Sequence, residues 1–314
     1  MSLERMAAGA VRLSGALALA VVAALAPGGA APQRGSPPPG SAPPPALSFY
    51  ALEAPDMSAA LPPRLAEVSG VTALSGAEVA CIQDEEGVVF VYDLAQRRTV
   101  RQIPFGPRGD YEGIASADTR LFVLRSDGVL FELQDLSSTP PVRAHVLRLP
   151  TADNEGLCLD APRRRLLIAA KTRLGKGKAF KDTRVIFAYG LDAAALEPEP
   201  AMIVSVDAIR DFAERQGRRR VAPGGKPRAL RFMPSAIAMH PTTFEVFVLS
   251  AVDQALATFD ANGRVTGFAG LDPALFPQPE GLTFLGNGDL VITSEAAGGR
   301  PTIALFKRRV RPAR

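Results

Sequence analysis

The chain is poor in the residues that usually announce chemistry. It has no tryptophan, two cysteines and two histidines among 314 residues. Cys81 and Cys158 are the only thiols, with no CxxC pair, so neither a disulfide scaffold nor a dithiol redox site is built from them. They fall in different, non-adjacent repeats and read as two buried free thiols. His145 and His240 are far apart, which removes zinc clusters and any strong Ser–His–Asp pattern. No glycine loop has the spacing that cradles a phosphate. Aromatics make up 6% of the chain. No aromatic stacking platform interleaves the basic clusters at Arg97-Arg98, Arg163 to Arg165, Lys171 to Lys181, Arg218 to Arg220 and Lys307 to Arg314, so nucleic acid is not an expected partner. The net charge is only +4, and the clusters read as solvated loops. Helical patterns are few, and the one long apolar run is Leu13 to Ala26.

That run, preceded by Arg5 and Arg12 and followed by Gly28 and Ala30, reads as an export signal over residues 1–30. The expected location is the periplasm or the medium. An uncleaved signal anchor would be the sole membrane attachment. Residues 31–46 are rich in proline and read as an extended linker. Residues 47–314 then form one domain, expected to be monomeric.

What the chain has in abundance is a repeated phrase. Glu112-Gly113-Ile114, Glu155-Gly156-Leu157 and Glu280-Gly281-Leu282 are clear copies; Ser69-Gly70-Val71 and Ser235-Ala236-Ile237 are weaker ones. Their first positions differ by 43, 43, 80 and 45 residues. A period of about 40–45 residues, with short Val/Ile/Leu/Phe runs between turns, is the signature of propeller blades of four strands. The 80-residue interval is one blade plus an insertion at about 207–233, with a helix from Val206 to Gln216, rather than two blades. The expected fold is an all-β propeller of five blades, six being the alternative. The last blade lacks a fourth strand after Lys307. The alternating segment Leu47 to Leu52 is expected to supply it and close the ring.

In a propeller the first strand of each blade lines the central channel. The loops entering that strand and those joining the second strand to the third lie at one mouth. The candidate site residues are therefore Glu67, Glu112, Glu155, Ser235 and Glu280 from the repeat phrases, and Asp84, Glu85, Arg125, Lys171, Asp253 and Glu295 from the turns. Crowded carboxylates need compensation. Arg125 and Lys171 are expected to supply part of it, and a calcium ion on Glu112, Glu155 and Glu280 the rest. In a structural role the same acids would instead tie loops by accepting backbone N–H bonds. The segments Asp260 to Gly263 and Gly286 to Asp289 look like calcium loops but read as hairpin turns.

The ordered phrases resemble those of the SdiA-regulated domain family, the YjiK/CarP-type propellers. The matching residues are Glu67-Val68-Ser69-Gly70-Val71, Gln83-Asp84-Glu85, Glu112-Gly113-Ile114, Glu155-Gly156-Leu157, Ser235-Ala236-Ile237, Pro279-Glu280-Gly281-Leu282 and Ile292-Thr293-Ser294-Glu295. The resemblance covers roughly Leu65 to Lys307. It implies a bacterial, exported propeller with a link to calcium and a poorly defined activity. The chain departs from the pattern at Ala236, in the basic insertion after Lys171, and in the helix-containing insertion. Two function classes follow. One is a propeller that binds a small polar ligand, calcium or a protein partner at its acidic mouth. The alternative is a metal-dependent hydrolase of the esterase-like or phytase-like propeller kind.

Overall fold

In the computed structural model, residues 44–217 and 229–309 are described. The expected signal and most of the linker lie outside them, as do Arg218 to Arg220 and the end of the basic tail. Five antiparallel sheets are arranged as a five-bladed propeller. The innermost strands are Val68–Ala73, Tyr111–Ala117, Asn154–Asp160, Ala236–Met239 and Pro279–Phe284. Each touches the next, and the fifth touches the first, so the inner strands form a closed ring. Among the described residues no helix is long and apolar enough to cross a membrane.

The packing follows from strand alternation. Each sheet buries apolar side chains on both faces. The core is accordingly five clusters, one between each pair of adjacent blades. Cys81 and Cys158 lie within two of these clusters as free thiols, and burial pushes the Cys81 thiol up to about 12. Glycine is required where the inner strands crowd together. A Cβ on Gly113 would stand 2.7 Å from the backbone oxygen of Glu155, and one on Gly281 would meet the Thr293 side chain at 2.0 Å.

The ring is closed by an N-terminal strand, but not by the expected segment. Met57–Ala60 pairs antiparallel with Thr302 to Leu305 of the fifth blade. Ala46–Phe49, within the expected Leu47–Leu52 strand, is a short 3-10 helix. It leads Phe49, Tyr50 and Leu52 into the cluster between the fourth and fifth blades. The reason is a polar anchor as well as apolar area. The Tyr50 hydroxyl donates to the carbonyl of Gly288 at 2.6 Å and lies 3.0 Å from Nε2 of His240. Nδ1 of that imidazole accepts from the Thr243 backbone at 3.1 Å. Burial, helped by the Arg308 charge, lowers the His240 pKa to about 4 and keeps the ring neutral. Extended pairing of this segment would forfeit those bonds.

The insertion opens with helix α1, Val206–Arg215, capped by the Ser205 hydroxyl, which accepts from the Ala208 amide at 3.1 Å. Its Val206, Ile209 and Ala213 pack into the cluster between the third and fourth blades. Asp260 to Gly263 and Gly286 to Asp289 form tight turns, in which Asp260 and Asn287 side chains accept backbone N–H bonds two residues on.

Truncation to begin at Asp56 keeps the closing strand but removes Phe49, Tyr50 and Leu52, each worth about 1.5–3 kcal/mol when buried. Truncation to begin at Pro62 removes closure as well. Calorimetry should show a lowered but cooperative transition for the first and no cooperative transition for the second. Gly113→Ala should cost about 1–3 kcal/mol by overpacking against Glu155, read as a lower urea midpoint with unchanged slope.

Candidate functional site

The repeat phrases are bulges. In four blades the inner ladder skips one residue: between Val68 and Gly70, Tyr111 and Gly113, Asn154 and Gly156, and Pro279 and Gly281. The skipped residues are Ser69, Glu112, Glu155 and Glu280. A bulge leaves its extra residue unpaired and re-aims its side chain. Here it turns these side chains to the channel, where all four line a cavity of only about 10 Å3. That is room for about one water, so a ligand must sit at the mouth rather than pass through. In the fourth blade the ladder begins regularly at Ala236. The two serines serve packing: Ser69 donates to the Tyr111 carbonyl at 2.6 Å and Ser235 to that of Pro279 at 3.1 Å. Each ties its blade to the next.

A second ring lies above the first. The residue that follows each second strand donates its N–H to the carbonyl two residues before the phrase. The pairs are Asp84 to Glu67, Ser126 to Asp110, Lys171 to Asp153 and Glu295 to Gln278. The fourth blade places Ala251 there, its N–H bonded to the Ser235 hydroxyl. The second ring therefore holds Asp84, Ser126, Lys171, Ala251 and Glu295. Arg125 is one residue too early and points elsewhere. It forms a bidentate pair with Asp127 at 2.8–2.9 Å and lies over Phe131, so Asp127 absorbs the charge expected for the mouth. Glu85 pairs at the surface with Arg108. Asp253 is buried and accepts from the Phe232 amide at 2.7 Å and the Ser250 hydroxyl at 2.9 Å, pinning the return of the insertion. Asp110, Asp153 and Gln278 were not anticipated. A polar residue two places before each glutamate is the signal that marks them.

Electrostatics binds the two rings into one unit. Lys171 contacts Oε1 of Glu155, whose side chain is 3% exposed. Oε2 of Glu155 and Oδ1 of Asp84 are buried without a hydrogen-bond partner. Burial pushes the Glu112 carboxyl up to about 9, with Glu155, Asp110 and Glu280 adding to the rise. It raises Glu280 as well, against the pull of Lys171. Glu295 is pushed up to about 8 by burial, then by Glu280, Asp84 and Glu67. Asp84 reaches about 6 through burial and the charges of Glu67 and Glu85. Burial alone would lower Lys171, but its hydrogen bond to Glu155 and the surrounding acids raise it well above its usual value. Glu155 is pulled both ways: burial and Glu280 raise it, and Lys171 lowers it. A charged Lys171 requires an ionised partner, and we place that charge on the carboxyl it touches. Glu112 and Glu295 then hold protons near neutrality, and burial pushes Glu280 in the same direction.

The fourth blade opens the mouth. With Ser235 and Ala251 where its neighbours carry acids or lysine, a cavity of about 380 Å3 is lined by Lys171 of the third blade, by Met233 and Gln254, and by Gln278 and Glu280 of the fifth. Among the described residues no three acids, histidines or cysteines stand in a group that would hold a metal ion.

No family model matches the chain, and no curated protein sequence does. Among solved structures it is similar to the glutaminyl cyclase of Myxococcus xanthus, with 15% identity and a TM-score of 0.55 over 82% of this chain and 97% of that one. It is also similar to a luciferin-regenerating enzyme, with 10% identity and a TM-score of 0.46 over 79% of this chain and 96% of that one. The first likeness shows the fold.

The protonation pattern sets a pH dependence. Between the ordinary carboxylate value of 4.5 and about 9, the folded state holds a proton on Glu112 that the unfolded chain has lost. Stability falls as pH rises through that window. His240 acts oppositely: between 6.5 and about 4 the unfolded chain binds the proton, so stability falls as pH drops. The melting temperature should decline from pH 6.5 to 9, and Glu112→Gln should flatten that decline while leaving the acid limb intact.

Proposed function

We propose that this chain is a binding propeller whose acidic mouth takes a small polar ligand presenting a positively charged group. The observation that carries the reading is the cavity over the fourth blade. Glu280, whose charge acts on Glu112 and Glu295, and Lys171 both line it. A cationic group there lets the protonated acids ionise against a partner, which stabilises both. Lys171 offers a donor to an acceptor on the same ligand. An amino-terminal peptide end or a polyamine with a carbonyl has this polarity. The calcium ion anticipated on Glu112, Glu155 and Glu280 is the less favoured occupant, because burial favours the protonated forms of Glu112 and Glu280 and Lys171 already contacts Glu155. The resemblance to the SdiA-regulated domain family, and an extracytoplasmic location read from residues 1–30, are consistent with such a role.

Catalysis is a second reading, favoured by the proton-bearing carboxyls beside an open cavity. The similar structure carries the name glutaminyl cyclase. Cyclisation of an N-terminal glutamine needs one group to take a proton from the attacking amine and return it to the leaving ammonia, and a carboxyl whose affinity for protons is raised by burial suits that exchange. Glu280 borders the cavity and is the residue placed for it. The hydrolase alternative requires a metal-activated water, and Lys171 already occupies the Glu155 carboxylate that would help hold the metal.

Thermal shift and calorimetry with glycylglycine, putrescine and calcium chloride test the binding reading. The amine-bearing probes should raise the melting temperature by mass action, and Glu280→Gln should weaken binding by roughly tenfold, an ordinary loss for one charge-assisted contact. A shift from calcium alone would replace the ligand class. No shift from any probe in the wild-type protein would refute an open cation site. Ammonia release from a glutaminyl peptide, abolished by Glu280→Gln, would establish the catalytic reading.

A further inference from the structure

A second cavity, of about 560 Å3, opens between the third and fourth blades. The turns around it join first strands to second and third strands to fourth, which places it on the face opposite the acidic mouth. It lies beside a break in the third blade. The outer position there is shared by two short strands, Ala195–Leu196 and Met202–Ser205, which pair with different halves of Thr183–Gly190. The intervening residues leave the ladder, and Ala201 and Met202, where pairing resumes, line the cavity.

The walls are apolar: Leu167, Ile186, Met202, Met239 and Val246. Phe244 stands among the lining residues, 49% exposed, with φ of +57°, a conformation unfavourable for a bulky side chain. Its backbone N–H donates to the His240 carbonyl at 3.0 Å, which holds the turn in that conformation. The volume lies within the range of small-molecule sites, and two methionines give adaptable walls.

The charges around the cavity are not equivalent. Asp160 is buried and takes Nε of Arg165 at 2.9 Å, while Arg165 also reaches Glu197 at 2.7 Å. Asp260 pairs with Arg264 at 3.0 Å. Glu245 accepts the Ala46 amide at 2.7 Å. Arg163 differs: its side chain is 51% exposed and its contact with Asp160 is a single long one at 3.3 Å. A guanidinium has five N–H donors, so this group has capacity to spare beside an apolar cleft.

We propose that this cleft is a second ligand site, separate from the acidic mouth, for an amphiphilic anion: an aromatic or aliphatic body between the third and fourth blades, and a carboxylate or sulfonate on Arg163. Each acid at the rim already has a partner through at least one oxygen, and Oδ1 of Asp160, which has no hydrogen bond, is buried beside Arg163 and Arg165, so a cationic head would have to compete with two guanidinium groups there. A neutral apolar molecule would leave the guanidinium unused.

The probe is 8-anilinonaphthalene-1-sulfonate, titrated by fluorescence against the folded full chain. One saturable site with a blue-shifted emission is expected. Arg163→Gln, a surface change with Arg165 left in place, should weaken binding by about tenfold and reduce its salt dependence. Ala201→Trp should fill the cleft and abolish the signal. Unlabelled naphthalene-2-sulfonate should compete, and neutral 2-naphthol should compete at least tenfold less well. No saturable site, or binding unchanged in both variants, would overturn the site. Equal competition by the two naphthalenes, or binding lost only in Ala201→Trp, would overturn the assignment of an anionic ligand.

Discussion

The whole architecture depends on how closely five inner strands can approach one axis. Each must present its edge to the channel while its face packs on the next blade, and only a residue without a Cβ fits at the tightest points. Gly113 and Gly156 each lie against the following inner strand, and Gly281 lies against Val71 of the first blade. The bulge one residue earlier is the companion of that constraint. It releases Glu112, Glu155 and Glu280 from the ladder and turns them inward. Close packing of the ring and the acidity of its mouth therefore have one local cause.

That acidity is costly unless protons or cations relieve it. Two charges a few ångströms apart repel by about 1 kcal/mol even in water and by more near a protein surface. Lys171 answers for one acid and protonation for others. The unpartnered oxygens of Glu155 and Asp84 are what remains. Positive charge brought near these acids would lower that cost.

The fourth blade is where the repeat gives way. Its serine and alanine look like decay of the motif. In the folded ring they make the cavity beside Glu280 and Lys171, and Ser235 still performs the tie to the next blade that Ser69 performs elsewhere. The third blade departs differently, by splitting its outer strand beside the cleft on the other face.

The period of the Glu-Gly phrases, the blade count and the helix at Val206 were all legible in the chain, because strand alternation and helical spacing are local properties. The inward placement of Glu112, Glu155 and Glu280 was legible for the same reason: one phrase in one position of each blade. What local pattern leaves open is which of two segments pairs at a distance. Leu47 to Leu52 alternates well, yet Met57–Ala60, a short run with two alanines, closes the ring, because Tyr50 finds His240 and Gly288 only in a packed, non-strand conformation. Arg125 and Asp253 show the same limit. Each is one turn from the mouth in sequence, but Asp127 and the backbone at Phe232 capture them first. Repetition along the chain determined the ring and the character of its centre; competition among partners far apart in the chain was decided only by the tertiary fold.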